Sequence, residues 1–121
     1  MSDKEIQKAI LVGIASKSSE LAECETSLDE LERLADTAGA KVCAKVIQIK
    51  DSYDPRTLIG SGKVSEISAL VSNEESSLVI FDEELSPAQI RNLENDIGKD
   101  VTVIDRSNLY FDCVKLQFSV T

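Results

Sequence analysis

An unbroken apolar run, Ile10-Leu11-Val12-Gly13-Ile14, stands near the start of the chain and has the form of a strand covered on both faces. The period then changes. Leu28, Leu31, Leu34, Ala35 and Ala38 recur at helical spacing, and Gly39 is placed to end that helix. Ser27-Leu28-Asp29-Glu30 reads as a capping box starting it, with the Ser27 hydroxyl on the Glu30 amide and the Glu30 side chain reaching back. Residues 41–50 are rich in β-branched side chains, and Val42, Val46, Ile47 and Ile49 mark a second strand. Asp51-Ser52-Tyr53-Asp54-Pro55 forms a loop, since the proline disfavours helix just before it. After a Gly60-Ser61-Gly62 turn, Val64, Ile67, Leu70 and Val71 predict a second helix.

Leu78-Val79-Ile80-Phe81 is a third buried strand. Ser86 as N-cap and Pro87 at the first helical position start a third helix, with Ile90, Leu93 and Ile97 on its inner face and Gly98 at its end. Val101-Thr102-Val103-Ile104 closes the series as a fourth strand. Strands separated by helices predict an α/β fold, a small parallel four-stranded sheet with helices on both faces joined by right-handed crossovers. Residues 114–121 then alternate apolar and polar, a strand pattern that predicts a tail at a sheet edge. The expected organisation is one α/β domain over 1–112 and a divergent tail over 113–121, with no internal repeat.

Composition narrows the function. The 121 residues are 42% hydrophobic and 29% charged, as in an ordinary globular protein. A formal charge of -9 repels naked nucleic acid, so any RNA contact needs a local basic patch or another domain. There are three cysteines, no C-x-x-C and no histidine, which argues against zinc and reads as small apolar residues in a reducing compartment. The apolar stretch over 9–15 is too short to span a membrane, and Asp3 and Glu5 spoil a signal peptide, so the expected location is cytoplasmic.

The chemistry centres on Leu58-Ile59-Gly60-Ser61-Gly62-Lys63. A P-loop reads G-x-x-x-x-G-K-[ST]; here Thr57 replaces the first glycine and Val64 the magnesium-binding hydroxyl, so this is no Walker A motif. Two readings stay open. In one, the helix amides of Gly60, Ser61 and Gly62 contact a phosphate with help from Lys63. In the other, the turn is one that only glycine tolerates, and Lys63 is solvated. At the carboxyl ends of the strands, Asp82 and Asp105 form a candidate Mg²⁺ pair, or else they cap helices and solvate the rim. Arg91 and Asn92 read first as a polar outer face. Without histidine, a G-x-S-x-G elbow or an activated cysteine, catalysis has little support.

Three segments in order resemble one family. Asp54-Pro55-Arg56-Thr57-Leu58-Ile59-Gly60-Ser61-Gly62-Lys63-Val64-Ser65-Glu66-Ile67 is similar to the D-P-x-x-x-I-G-x-G-K-x-x-E-[IL] signature of HflX-type GTPases. Asp82-Glu83-Glu84-Leu85-Ser86-Pro87-Ala88-Gln89-Ile90-Arg91-Asn92-Leu93-Glu94 resembles D-x-E-L-S-P-x-Q-x-R-N-L-E, and Val103-Ile104-Asp105-Arg106 resembles V-x-D-R. The resemblance covers roughly residues 10–109. It implies the N-terminal α/β domain of ribosome-associated GTPases that separate or rescue stalled ribosomes. In full-length members, a helical hairpin and a G domain using GTP and Mg²⁺ follow. This chain carries neither Walker A nor N-K-x-D, so it is expected not to be an enzyme.

The resemblance implies docking on the large ribosomal subunit, with Arg56, Gly60, Ser61, Gly62, Lys63, Arg91, Asn92 and Arg106 as candidate rRNA or phosphate contacts. The alternatives are a stand-alone nucleotide-binding domain taking ATP with Mg²⁺ on Asp82 and Asp105, and a structural remnant that forms a homodimer through its tail. From Tyr110 onward the sequence departs from the family pattern, which predicts either a truncated relative or one whose end has been replaced, without the hairpin in both cases.

Overall fold

The computed structural model describes residues 7–50, 54–98 and 100–110. Four strands and three helices alternate: β1 Gln7–Ala15, α1 Leu21–Thr37, β2 Ala40–Ile49, α2 Ser61–Glu74, β3 Leu78–Phe81, α3 Pro87–Ile97 and β4 Thr102–Asp105. Residues 106–110 are helical again. All strand pairs are parallel, and the sheet order is β2-β1-β3-β4. The expected α/β fold, with a parallel four-stranded sheet covered on both faces, is what the chain forms. The alternating tail and the boundary near 112 lie outside the described residues.

The apolar runs are unbroken because the central strands are buried on both sides. In β1, Ile10 and Val12 join Val79, Phe81 and Val103 under α2 and α3, through Val64, Ile67, Leu93 and Ile97. Ala9 and Leu11 face the other way, against Leu28, Leu31 and Ala35 of α1. Leu109, from the helical residues after β4, completes this second layer. At the edge, β2 carries a bulge at Cys43, because Ala9 pairs with Val42 and Ile10 with Ala44. That bulge and the exposed Lys41 and Lys45 blunt the open edge against pairing.

One expectation needs correcting. The helix assigned a start at Ser27 begins at Leu21, after a single 3-10 turn over Ser18–Glu20. The apolar stripe extends upstream through Cys24, which is buried, so packing carries the helix past the sequence that resembles a cap. The turn before it is held by Glu20, whose carboxylate accepts from the Ser16 hydroxyl at 2.6 Å and the Ser16 amide at 3.2 Å. The capping box at Ser86, in contrast, forms as read, with both reciprocal bonds to Gln89.

Candidate functional site

A parallel sheet places every strand's carboxyl end, and the helix N-termini that follow, on one rim. Two groups of the expected site residues meet there. The first surrounds the start of α2. Residues 54–58 form a tight loop in which Asp54 and Leu58 exchange backbone bonds of 3.2 and 2.7 Å. The Asp54 carboxylate accepts from the Arg56 amide, and the Thr57 hydroxyl donates to the Ile59 carbonyl at 2.8 Å. The left-handed residue of this loop is Leu58, with φ of 73°.

The glycines therefore have a different basis from the one expected of a strained turn. Gly60 is the N-cap of α2 with φ of -73° and ψ of 161°, a conformation open to any residue. A Cβ on Gly60 would meet the Lys50 ammonium at 3.6 Å and Gln48 Oε1 at 3.8 Å, both ordinary contacts. Gly62 lies in the first turn of α2, and a Cβ there would meet nothing within 4 Å. Neither the backbone nor packing demands glycine at either position.

The surroundings are polar and partly basic. The Gly60 amide donates to Gln48 Oε1 at 2.8 Å, so that donor is already engaged. Ser61 and Gly62 are exposed, and Lys63 pairs with Glu66 at 2.9 Å. Lys50 was not foreseen as a site residue. It directly follows β2, ten positions before Gly60, and comes beside it because the end of β2 and the start of α2 share the rim.

The motif on α3 laces the loop down. Gln89 Nε2 donates to the Pro55 carbonyl at 3.4 Å, and Asn92 Nδ2 donates to the Arg56 carbonyl at 3.1 Å. Arg56 makes a two-pronged pair with Asp96, at 3.2 and 3.1 Å. Arg91 points elsewhere: it is exposed and lines an open cleft with Ser86, Pro87, Ile90 and Asn108. Among the described residues it has no ion-pair partner.

Asp82, Asp105 and Arg106 form the second group. Asp105 is buried, and its two oxygens accept from the amides of Leu85 at 2.9 Å and Asn108 at 3.0 Å. Asp82 accepts from Arg106 Nε at 2.7 Å, while Arg106 Nη2 donates to the carbonyl and hydroxyl of Ser27 at 2.9 and 3.0 Å. A cation on Asp82 and Asp105 would compete with these donors, and among the described residues no cluster of three or more His, Cys, Asp or Glu is arranged to hold one. Beside them, burial and the Asp82 charge push the Glu83 carboxyl above its ordinary value. Burial, then the Asp82 and Glu83 charges, raise the Cys24 thiol.

Known proteins align with this geometry. Residues 25–113 match the family described as GTP-binding GTPase N-terminal. The GTPase HflX of Caldanaerobacter subterraneus subsp. tengcongensis is 42% identical over 110 residues, covering 91% of this chain and 24% of that protein. The GTPase HflX of Lacrimispora saccharolytica is 38% identical over 109 residues, or 90% of this chain and 25% of the relative. The chain thus spans about a quarter of the length of these relatives. Among solved structures, the SsGBP and GDP complex superposes with a TM-score of 0.68 at 20% identity, over 96% of this chain and 31% of the other. A GTP-binding protein from the hyperthermophilic archaeon Sulfolobus solfataricus in complex with GDP gives 0.61 at 22%, over 92% of this chain and 31% of the other. At those identities the likeness establishes the fold alone.

Proposed function

The chain belongs to the HflX family of GTPases, in the region of its N-terminal domain, and from that premise we propose that it is a non-catalytic docking module for the large ribosomal subunit. On this reading GTP hydrolysis belongs to the parts of the relatives that this chain, matching 25% of one of them, does not span. The observation that carries the reading is Gly62. Glycine in a helix costs about 0.5–1 kcal/mol relative to alanine, and here nothing inside the fold requires it. Its bare backbone is suited to close approach by an external phosphate, at a helix end whose dipole favours an anion. Lys50 and Lys63 supply positive charge at that end of a chain with net charge -9. Arg91, exposed on the same rim, is the further basic contact, and Arg56 and Asn92 hold the loop that shapes the surface.

Sedimentation with purified ribosomes tests this. Wild-type protein is expected to pellet at low salt and to be released as salt rises, with Lys63→Ala and Arg91→Ala each lowering the salt slope by about 1. Gly62→Gln is the sharper variant, because the fold tolerates it while the added side chain covers the backbone. Wild-type protein that stays in the supernatant at low salt removes the reading.

The nucleotide reading, with ATP and Mg²⁺ on Asp82 and Asp105, has less support because both carboxylates already hold donors. The cytoplasmic placement follows from the ribosomal reading. Among the described residues, no helix is long and apolar enough to cross a membrane.

A further inference from the structure

We infer that Arg106 is a clasp that closes the crevice at the sheet's switch point and fixes the direction in which the chain leaves β4. This stands apart from the α2 surface and does not depend on the ribosomal reading. The chain leaves β1 toward α1 on one face and leaves β3 toward α3 on the other. Between those two strand ends lies the crevice in which an open α/β sheet takes a nucleotide.

Here the crevice is filled from three sides. Its floor at Gly13 has no side chain, but Cys24 Sγ lies 2.8 Å from the place a Cβ would occupy and Leu28 3.2 Å away. Its two lips are Ser27 on α1 and Asp82 after β3, and the Arg106 guanidinium bonds both, at 2.7 to 3.0 Å. Arg106 is itself anchored. Asp105 ties the following helical turn to Leu85 through its two oxygens, and the Ser107 hydroxyl donates to Glu84 at 3.3 Å.

Charge works in the same direction as shape. A phosphate entering the crevice would have to displace Asp82 from Arg106 and then face the freed Asp82 together with Glu83. Glu83 is half-buried, and burial first, then the Asp82 charge, already disfavour a further negative charge at this wall. The cation that would otherwise attract phosphate is thus neutralised from within. The same bonds seat Leu109 against the α1 layer, which sets the direction of residues 106–110 as they leave β4.

Amide hydrogen exchange on the full chain tests the clasp. In Arg106→Ala and in Asp82→Asn, the amides of Asn108, Leu109 and Tyr110 are expected to exchange about tenfold faster or more, while those of Ile10, Leu11 and Ile80 keep their protection. The exchanged pair Asp82→Arg with Arg106→Asp is expected to recover part of the loss, which simple damage to packing would not allow. Should Arg106→Ala unfold the sheet, Ser27→Ala removes one acceptor only, and its effect is expected at residues 108–110 alone. Unchanged exchange there in every folded variant overturns the clasp.

The closed crevice is read separately, by amide spectra of wild-type protein titrated with ATP and Mg²⁺ and, in parallel, with inorganic phosphate. Gly13, Ser16 and Asp82 are expected to stay in place, and saturable shifts at these amides overturn the closure. Shifts at Ser61 and Gly62 would bear only on the α2 surface.

Discussion

Gly13 sits where α1 crosses β1, and its lack of a side chain sets how closely the two approach. A methyl at this position would stand 2.8 Å from Cys24 Sγ and 3.2 Å from Leu28, so the Cys24 side chain, or the helix that carries it, would have to shift. Gly13→Ala is expected to destabilise the domain by about 1–3 kcal/mol, the usual cost of overpacking a filled core. Urea denaturation measures it. Adding Cys24→Ala removes the atom in the way and should recover part of the loss; equal midpoints for single and double variants would place the conflict elsewhere.

Glu83 supplies a pH test at the same scale. Its folded pKa lies above the ordinary 4.5, so the folded state binds the proton more tightly than the unfolded state does. The resulting penalty is absent below that value, grows as pH rises from there to the raised folded pKa, and is complete above it. Glu83→Gln is therefore expected to raise the urea midpoint at pH 7 and to leave it unchanged in acid below 4.5. A gain that persists undiminished in acid would show a packing effect instead. Gly13's role was not legible in the sequence, because Cys24 and Leu28 lie on another element; Glu83 has its charged neighbour, Asp82, next to it in the chain, and only its burial was hidden.

At the scale of elements, periodicity located all four strands, and the local signals at Ser86, Pro87 and Gly98 gave α3 its limits. The local capping signal misled at the start of α1, where the apolar stripe runs on upstream through Cys24. Ser27 and Glu30 have the spacing of a capping box, but Ser27 bonds Arg106, a residue 79 positions away. No local rule reveals that contact. The family-like segments show the same limit: Gln89 and Asn92 were visible as motif, and their partners Pro55 and Arg56 only in the fold.

This lacing gives two linked expectations. Ser86→Ala removes the α3 cap and should cost about 1 kcal/mol. Asn92→Ala frees the Arg56 carbonyl and should cost about 0.5–1.5 kcal/mol, with faster exchange at Leu58 and little change in β1. Exchange that rises equally in β1 would mean that the loop and the sheet open as one unit.

For the whole molecule, net charge was legible and its distribution was not. A count of -9 predicts repulsion from nucleic acid, yet the fold carries Lys50, just after β2, to the start of α2, where Lys63 lies in the first turn. Salt should therefore act in opposite directions on two properties of one protein. The ion pairs of Lys45 with Asp29 and Glu32, and of Arg56 with Asp96, are largely exposed. Such pairs contribute about 0–1 kcal/mol each, so screening them costs little. Screening the repulsion among the excess carboxylates is worth more, because it acts on the whole acidic surface. Raising sodium chloride from low to physiological strength is then expected to increase the thermal midpoint while, if the proposed docking holds, it releases the protein from ribosomes. A midpoint that fell together with ribosome binding would show that the surface pairs, rather than the apolar layers on either side of β1, hold the domain closed.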